Sequence, residues 1–129
     1  MLLLVAACDN PPVDTARDRG FHVVSVTPED LSTGLPESIA PFLVFSDRAD
    51  LDACAAATRL DGIQSDGTVA FPVEIEMSDD GSGKRFTLTP ADNLPRGWTY
   101  AITIRGGDEG CVDTENRGIE AFQSRFGVQ

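Results

Sequence analysis

The chain has 129 residues, with 21 acidic side chains against 10 lysines and arginines, so its formal net charge is −11. Proteins bind the phosphate backbone of nucleic acids through clustered lysine and arginine, and we therefore expect no nucleic-acid partner. An acidic surface also repels anionic lipid headgroups, so any attachment to a membrane has to come from a covalent lipid. The length suits one compact domain.

The chain opens with a short apolar run that ends in a cysteine, Leu4-Val-Ala-Ala-Cys8. This stretch resembles the lipobox of bacterial lipoprotein signal peptides. The resemblance implies that residues 1–7 are the last part of a cleaved signal peptide, that Cys8 carries the lipid, and that the protein is anchored to a bacterial membrane on its extracytoplasmic side. Since a signal peptide begins with positive charge and a longer apolar run, we expect the true start to lie upstream of Met1.

The alternative is an incidental apolar N-terminus with a buried Cys8. A transmembrane helix is excluded for this run, because spanning a bilayer takes about 20 apolar residues. Residues 8–20 are polar, contain two prolines and show no hydrophobic period. This composition predicts a flexible tether between the lipidated Cys8 and a folded domain of residues 21–129.

From Phe21 onward, apolar residues alternate with polar ones, as they do in half-buried strands. The clearest run is 69–77, whose odd positions are all apolar, and it predicts one strand that lies at a sheet edge because Pro72 cannot donate to a ladder. Residues 78–83 then predict a turn, and residues 85–89 complete a hairpin. In chain order, the predicted strands lie around residues 24–26, 43–45, 55–60, 69–77, 85–89, 99–105 and 122–128.

The strand around 55–60 is bounded by predicted turns at Asp61-Gly62 and Asp66-Gly67. No segment keeps a helical period, although residues 47–57 leave room for one short helical turn. Seven short antiparallel strands separated by turns predict an all-β fold, a two-sheet β-sandwich, with an open barrel as the alternative.

Several segments resemble bacterial Ig-like domains of the S-layer-protein (SbsA-like) type. Residues 23–28 (Val-Val-Ser-Val-Thr-Pro) resemble the opening strand, and residues 42–46 (Phe-Leu-Val-Phe-Ser) resemble a later strand end. The longest signature is Phe-Thr-Leu-Thr-Pro at 86–90 followed by Leu94-Pro-Arg-Gly-Trp-Thr-Tyr100. The resemblance covers nearly all of residues 21–129. It implies an Ig-like sandwich with a structural or protein-interaction (adhesive) role.

With Cys8 assigned to the lipid, Cys54 and Cys111 remain. In an exported protein, an even pair of cysteines predicts a disulfide, and two separate buried thiols are the alternative. The bond would pin the loop 106–118, which departs from the family pattern, to the early strands. Tyr100 is predicted to be structural, either as a tyrosine corner whose hydroxyl binds nearby backbone or as a simple core aromatic. Trp98 is predicted to lie beside it, packed or half-exposed.

The residues that carry chemistry in other proteins are few here. His22 is the only histidine, and it has no partner at an informative spacing. No motif for a nucleophile, a metalloprotease or phosphate binding is present. We therefore expect no enzyme, no catalytic residue, no cofactor and no resident metal.

The strongest chemical alternative is a ligand-binding module for calcium or an envelope polysaccharide, acting through the loop 106–118 with Trp98 as a platform. Calcium prefers oxygen ligands supplied by loops. The candidate ligands are Asp108, Glu109, Asp113, Glu115 and Asn116 in that loop, and Asp79 and Asp80 in another. The preferred hypothesis remains a non-catalytic, lipid-anchored module of the bacterial cell envelope. Its expected partners are the membrane, through the N-terminal lipid, and envelope or surface proteins.

Overall fold

A computed structural model describes residues 20–129, without the side chain of Asp108. The predicted signal peptide, Cys8 and all of the tether except Gly20 lie outside the described residues. Within residues 20–129, no helix is long and apolar enough to cross a membrane.

The described part of the chain is mostly β, with one short helix. In chain order, its elements are β1 (Val23–Thr27), β2 (Ser32–Leu35), β3 (Phe42–Phe45), α1 (Leu51–Ala57), β4 (Thr58–Ile63), β5 (Val69–Val73), β6 (Ile75–Asp79), β7 (Arg85–Pro90), β8 (Trp98–Ile104), β9 (Gly107–Val112), β10 (Gly118–Ile119) and β11 (Phe122–Val128). These strands form a five-stranded sheet of order β2-β11-β8-β4-β5, a four-stranded sheet of order β1-β3-β7-β6, and a small hairpin of β9 and β10. The predicted two-sheet sandwich is confirmed.

The core lies between the two sheets and is built by the alternation that the sequence shows. In β8, Tyr100, Ile102 and Ile104 are fully buried. Across from them, the four-stranded sheet contributes Phe45 and Phe86, whose rings meet edge to face at 5.3 Å. Burying one such side chain stabilises the fold by about 2–3 kcal/mol, so a few alternating strands are enough to hold the two layers together.

The run 69–77 is two strands, and the prediction of one strand was wrong. β5 ends at Val73 in the five-stranded sheet, and β6 begins at Ile75 in the four-stranded sheet. The chain therefore changes sheets at Glu74, whose carbonyl accepts a hydrogen bond from the Ala91 N–H (2.9 Å). The alternation continues through this crossover because both inner faces bury the same core. β5 is an edge strand, as Pro72 predicted.

The predicted strand at 55–60 begins later, because α1 occupies its first half. The Asp50 carboxylate accepts a hydrogen bond from the Ala53 N–H (3.1 Å) and caps the helix, and alanines then favour a helical backbone. This helix lies within residues 47–57, the segment for which the sequence allowed one short helical turn. Gly62 lies inside β4, so the predicted turn at Asp61-Gly62 is absent. A glycine is needed here because the Phe71 ring packs directly over it, in the space that a side chain would occupy.

The first strand is present, but Val23 faces the core and Val24 is 58% exposed. A register irregularity between Val23 and Ser25 in the pairing with β3 turns Val24 outward. The final predicted strand is present as β11, and its alternate residues Ser124, Phe126 and Val128 are all buried.

Candidate functional site

The sandwich has two distinct ends, and the polar features gather there. The hairpin of β9 and β10, α1 and the loop 113–117 form one end, which we call the disulfide end. At this end the chain enters the domain, where the Glu120 N–H donates to the Phe21 carbonyl (3.0 Å). β8 and β11 run the length of the sandwich, and Val128 pairs with Trp98 at the opposite end. We call that end the tryptophan end.

Cys54 and Cys111 form a disulfide, which confirms the predicted pairing. Cys54 lies in α1 and Cys111 in β9, and both are fully buried. The backbone supports the same contact, because the Asp50 N–H donates to the Val112 carbonyl at 3.0 Å. The bond therefore ties the hairpin of the departing loop to the helix that follows β3.

Asp113 organises the acidic loop beside the disulfide. Its carboxylate is 1% exposed and accepts hydrogen bonds from the backbone N–H groups of Glu115 (2.9 Å) and Arg117 (2.8 Å). The Arg117 guanidinium adds a third bond at 2.7 Å and lies 3.4 Å from the Asp47 carboxylate. Burial raises the pKa of Asp113, but the hydrogen bonds from Arg117 and Glu115 outweigh it and hold that pKa below its ordinary value.

The two candidate calcium ligands of the other loop, Asp79 and Asp80, are also engaged by the fold. Asp79 accepts hydrogen bonds from the N–H groups of Gly81 (2.9 Å) and Gly83 (3.0 Å). Asp80 accepts from the hydroxyl and the N–H of Ser82, which lower the pKa of Asp80. These are Asx turns, in which a short acidic side chain caps the backbone two residues on. Among the described residues, no group of three or more His, Cys, Asp or Glu could hold a metal ion.

Trp98 and Tyr100 lie at the tryptophan end. The Tyr100 hydroxyl donates to the Pro95 carbonyl at 2.6 Å, which is the bond that a tyrosine corner makes, and burial raises the pKa of Tyr100. Trp98 is 37% exposed and meets the Phe71 ring edge to face at 5.1 Å. The loop 106–118 begins beyond the far end of β8, about 20 Å away at 3.3 Å per residue. Trp98 and that loop therefore do not share one binding surface.

His22 lies at the disulfide end and contacts backbone. Its ring Nδ1 is 2.8 Å from the Gly20 carbonyl, and its backbone N–H donates to the Ser46 hydroxyl at 3.0 Å. Both cysteines of residues 20–129 are in the disulfide, so neither offers a free thiol.

The sequence analysis missed a cleft where the chain changes sheets. Residues 71–74 form one wall of this crossover cleft, residues 91–95 form the other, and its volume is about 290 Å³. Leu94 is buried at its base, whereas Glu74 and Asp92 stand exposed at its rim. Pro72 was the available signal, since an edge proline within an alternating run is compatible with a strand that leaves its sheet.

With this geometry established, comparison with known proteins identifies the family. The model of the bacterial Ig-like domain matches residues 17–127. The chain belongs to this family. A comparison with the curated proteins finds no match.

Solved structures share the architecture of this Ig-like domain at low sequence identity. The N-terminal part of the bacterial S-layer protein SbsC aligns with a TM-score of 0.59 and 19% identity, over 92% of this chain and 26% of that chain. PcoC, a methionine-rich copper resistance protein from Escherichia coli, aligns with a TM-score of 0.63 and 19% identity, over 84% of this chain and 98% of that chain. CopC from Methylosinus trichosporium OB3b gives 0.57 and 14%, over 84% and 93%. The chain thus spans about a quarter of the S-layer protein structure, and the likeness shows the fold.

Replacing both cysteines, in C54A/C111A, should lower the free energy of unfolding by about 2–4 kcal/mol. The reason is that the bond closes a loop over a separation of 57 residues, for which the chain-entropy model gives about 4 kcal/mol. Urea unfolding of the oxidised parent and the variant measures the difference. Reduced parent protein is the control and should resemble the variant. An unchanged midpoint in C54A/C111A would contradict this prediction.

Asp113→Asn should lower the free energy of unfolding by about 1–3 kcal/mol at pH 7, because it removes the charge-assisted bond to Arg117. The pKa of Asp113 is lowered in the folded state, so its stabilisation is present above the unfolded value of about 3.9 and is lost as the pH falls below it. The gap between parent and variant, measured by urea unfolding from pH 7 downward, should therefore narrow as the pH falls below about 4. Asp92→Asn, an exposed carboxylate, is the matched control and should leave stability unchanged. A gap that is constant over this range would contradict the role of the charge.

Proposed function

We propose that this Ig-like domain is a non-catalytic, lipid-anchored module of the bacterial cell envelope, with a structural or protein-interaction role. The observation that carries the proposal is the buried Cys54–Cys111 disulfide in a domain of the bacterial Ig-like family. Disulfides persist in oxidising compartments and are rare in the cytosol, so the bond supports an extracytoplasmic address. The lipobox-like sequence that ends at Cys8 supports the same address and supplies the means of attachment.

The geometry of the domain supports a spacer that presents its far end to partners. The tether joins the domain at Gly20, beside Phe21 at the disulfide end, and β11 then carries the chain to the tryptophan end. A lipid on Cys8 would therefore hold the disulfide end toward the membrane. The tryptophan end and the crossover cleft would face outward, where an interaction surface is accessible.

Of the proteins with a similar fold, the S-layer protein SbsC supports a structural role in the envelope, whereas PcoC suggests a different role. SbsC is an S-layer protein, and an Ig-like sandwich in a surface layer is consistent with a structural task. PcoC is a copper resistance protein rich in methionine. Copper sites use imidazole and thioether ligands. This chain has one histidine and two methionines, and Met77 lies in the hydrophobic core. We therefore propose no copper-handling role.

We propose a non-catalytic role because the groups that could carry chemistry are engaged in structural contacts. Within residues 20–129, both cysteines are oxidised, and the single imidazole contacts a backbone carbonyl. The buried Asp113 carboxylate is saturated by Arg117 and backbone N–H groups. None of these groups is poised to attack or to move a proton.

Metabolic labelling with a clickable fatty acid tests the anchor. Cells that express the full chain, with its natural upstream sequence, should incorporate the label into the protein, because the cysteine thiol receives the lipid. Cys8→Ser is the control variant and should remain unlabelled and be released from the membrane fraction. Absence of label on the parent protein would overturn the lipid anchor and leave the fold untouched.

A pull-down from envelope extract tests the interaction role. The full chain carrying Cys8→Ser, with the disulfide formed, should capture one or more envelope proteins that are eluted by moderate salt, because the domain is strongly acidic. The captured proteins are identified by mass spectrometry. An unrelated Ig-like domain of similar charge serves as the control. Recovery of glycans alone would contradict a protein-interaction role.

A further inference from the structure

The crossover cleft combines an apolar base with carboxylates that have no described counter-ion. Phe71 and Val73 are half-buried along its wall, and Leu94 closes its base. Glu74 and Asp92 stand at the rim, and both are exposed. Among residues 20–129, no lysine or arginine lies within ion-pair distance of either carboxylate.

A second groove continues the cleft along β6. Glu74 and Ala91 line both, and Glu76 adds another exposed carboxylate without a described cation. The nearby Glu37 differs, because Arg96 binds it at 2.6 Å and lowers the pKa of Glu37. The negative charge over the cleft is thus left uncompensated within the described chain.

The backbone of β6 is open next to this charge. Among the strands of residues 20–129, β6 is an edge strand whose single partner is β7. Ile75 lies opposite Pro90, which has no N–H to donate. Met77 lies opposite Leu88, whose N–H donates in the other direction, to the Pro41 carbonyl at 2.7 Å.

At such positions of an antiparallel pair, the N–H and C=O groups point away from the partner strand. Those of Ile75 and Met77 therefore point out of the sheet, and no described backbone group outside the ladders bonds to them. α1 also contacts β6. The Ile75 end of β6 adjoins the cleft, since Glu74 lines the cleft and Ile75 lines the groove that continues it.

The charges decide what can pair with this edge. Carboxylates along an edge strand are a common protection against pairing with a second copy, since like charges directly opposite are destabilising. Since the chain has a net charge of −11, electrostatic repulsion opposes the pairing of β6 with a second copy of this chain. A strand of opposite charge meets no such barrier, because alternating lysine or arginine would lie beside Glu74 and Glu76.

We propose that β6 and the crossover cleft form a docking site for an extended, basic peptide segment of a partner protein. The segment adds a strand to the four-stranded sheet, its backbone bonds to Ile75 and Met77, its basic side chains meet Glu74 and Glu76, and an apolar side chain enters the cleft over Leu94. This is strand addition, in which main-chain bonds supply affinity and alternate side chains supply specificity. The inference deepens the proposed interaction role and rests on it.

The test uses the full chain carrying Cys8→Ser and a fluorescent nine-residue peptide that alternates lysine and valine. Fluorescence anisotropy should show binding that weakens at high salt. Glu74→Gln/Glu76→Gln should raise the Kd about tenfold, at about threefold for each exposed charge pair. Glu29→Gln/Glu109→Gln removes the same charge at two exposed positions elsewhere and should leave the Kd within twofold.

Strand addition is separated from simple charge attraction by a second peptide. The same sequence, N-methylated at alternate residues, keeps its charge but loses the donors on one edge, and it should bind at least tenfold more weakly. Hydrogen exchange at the Ile75 and Met77 amides should slow when the unmodified peptide binds. Equal binding of the two peptides, equal Kd values for both double variants, or no binding would each overturn the site.

The pull-down distinguishes this inference from the proposed function. Capture of the same envelope proteins by the parent and by Glu74→Gln/Glu76→Gln overturns the docking site and leaves the interaction role intact. Peptide binding at β6 without capture of any envelope protein would support the docking site and overturn the proposed interaction role.

Discussion

The structure depends on one constraint, which is that the inner faces of two sheets bury a single shared core. Tyr100 shows why the constraint is effective. Its ring stacks on Phe126 at 5.7 Å and is fully buried, while its hydroxyl finds the Pro95 carbonyl at the rim of the sandwich. A buried hydroxyl without a partner would cost free energy, so this bond lets a large aromatic side chain occupy the centre of the core.

The disulfide end is built on a different principle. β9 and β10 form a short hairpin outside the two main sheets, and their buried apolar side chains are Cys111, Val112 and Ile119. Covalent and polar contacts add to this small apolar contribution. The Cys54–Cys111 bond fixes the hairpin to α1, and Asp113 gathers three N–H donors into the turn that follows. This end is therefore a polar cap on an apolar sandwich, which is why its acidic residues serve the fold first.

Much of this fold could be predicted from the sequence, and the failures have physical causes. Period two identified the strands and their buried faces, as in β8 and β11, because alternation is imposed directly by the pleat. It could not reveal that residues 69–77 cross from one sheet to the other, since both halves face the same core. It also could not reveal that Gly62 lies in a strand. The glycine is explained by the Phe71 ring of the neighbouring strand, which is a tertiary contact that the local sequence does not show.

The candidate site was less predictable than the fold. The pairing of the cysteines followed from their number and the lipobox-like leader. The acidic loops suggested calcium by composition, but the carboxylates of Asp79, Asp80 and Asp113 are used as turn caps, a role that depends on backbone geometry. The crossover cleft exists because β5 and β6 belong to different sheets, which the alternation of residues 69–77 does not reveal.

The opposite placement of entry and exit has a mechanical meaning. A pull between Gly20 and the end of β11 would run along the strands, so the bonds between β11 and β8 would resist it together in shear instead of opening one at a time. The segment enclosed by Cys54 and Cys111 cannot lengthen under such a load while the bond holds. Such a pull would therefore load the ladder between β11 and β8 and leave the segment between the two cysteines unextended.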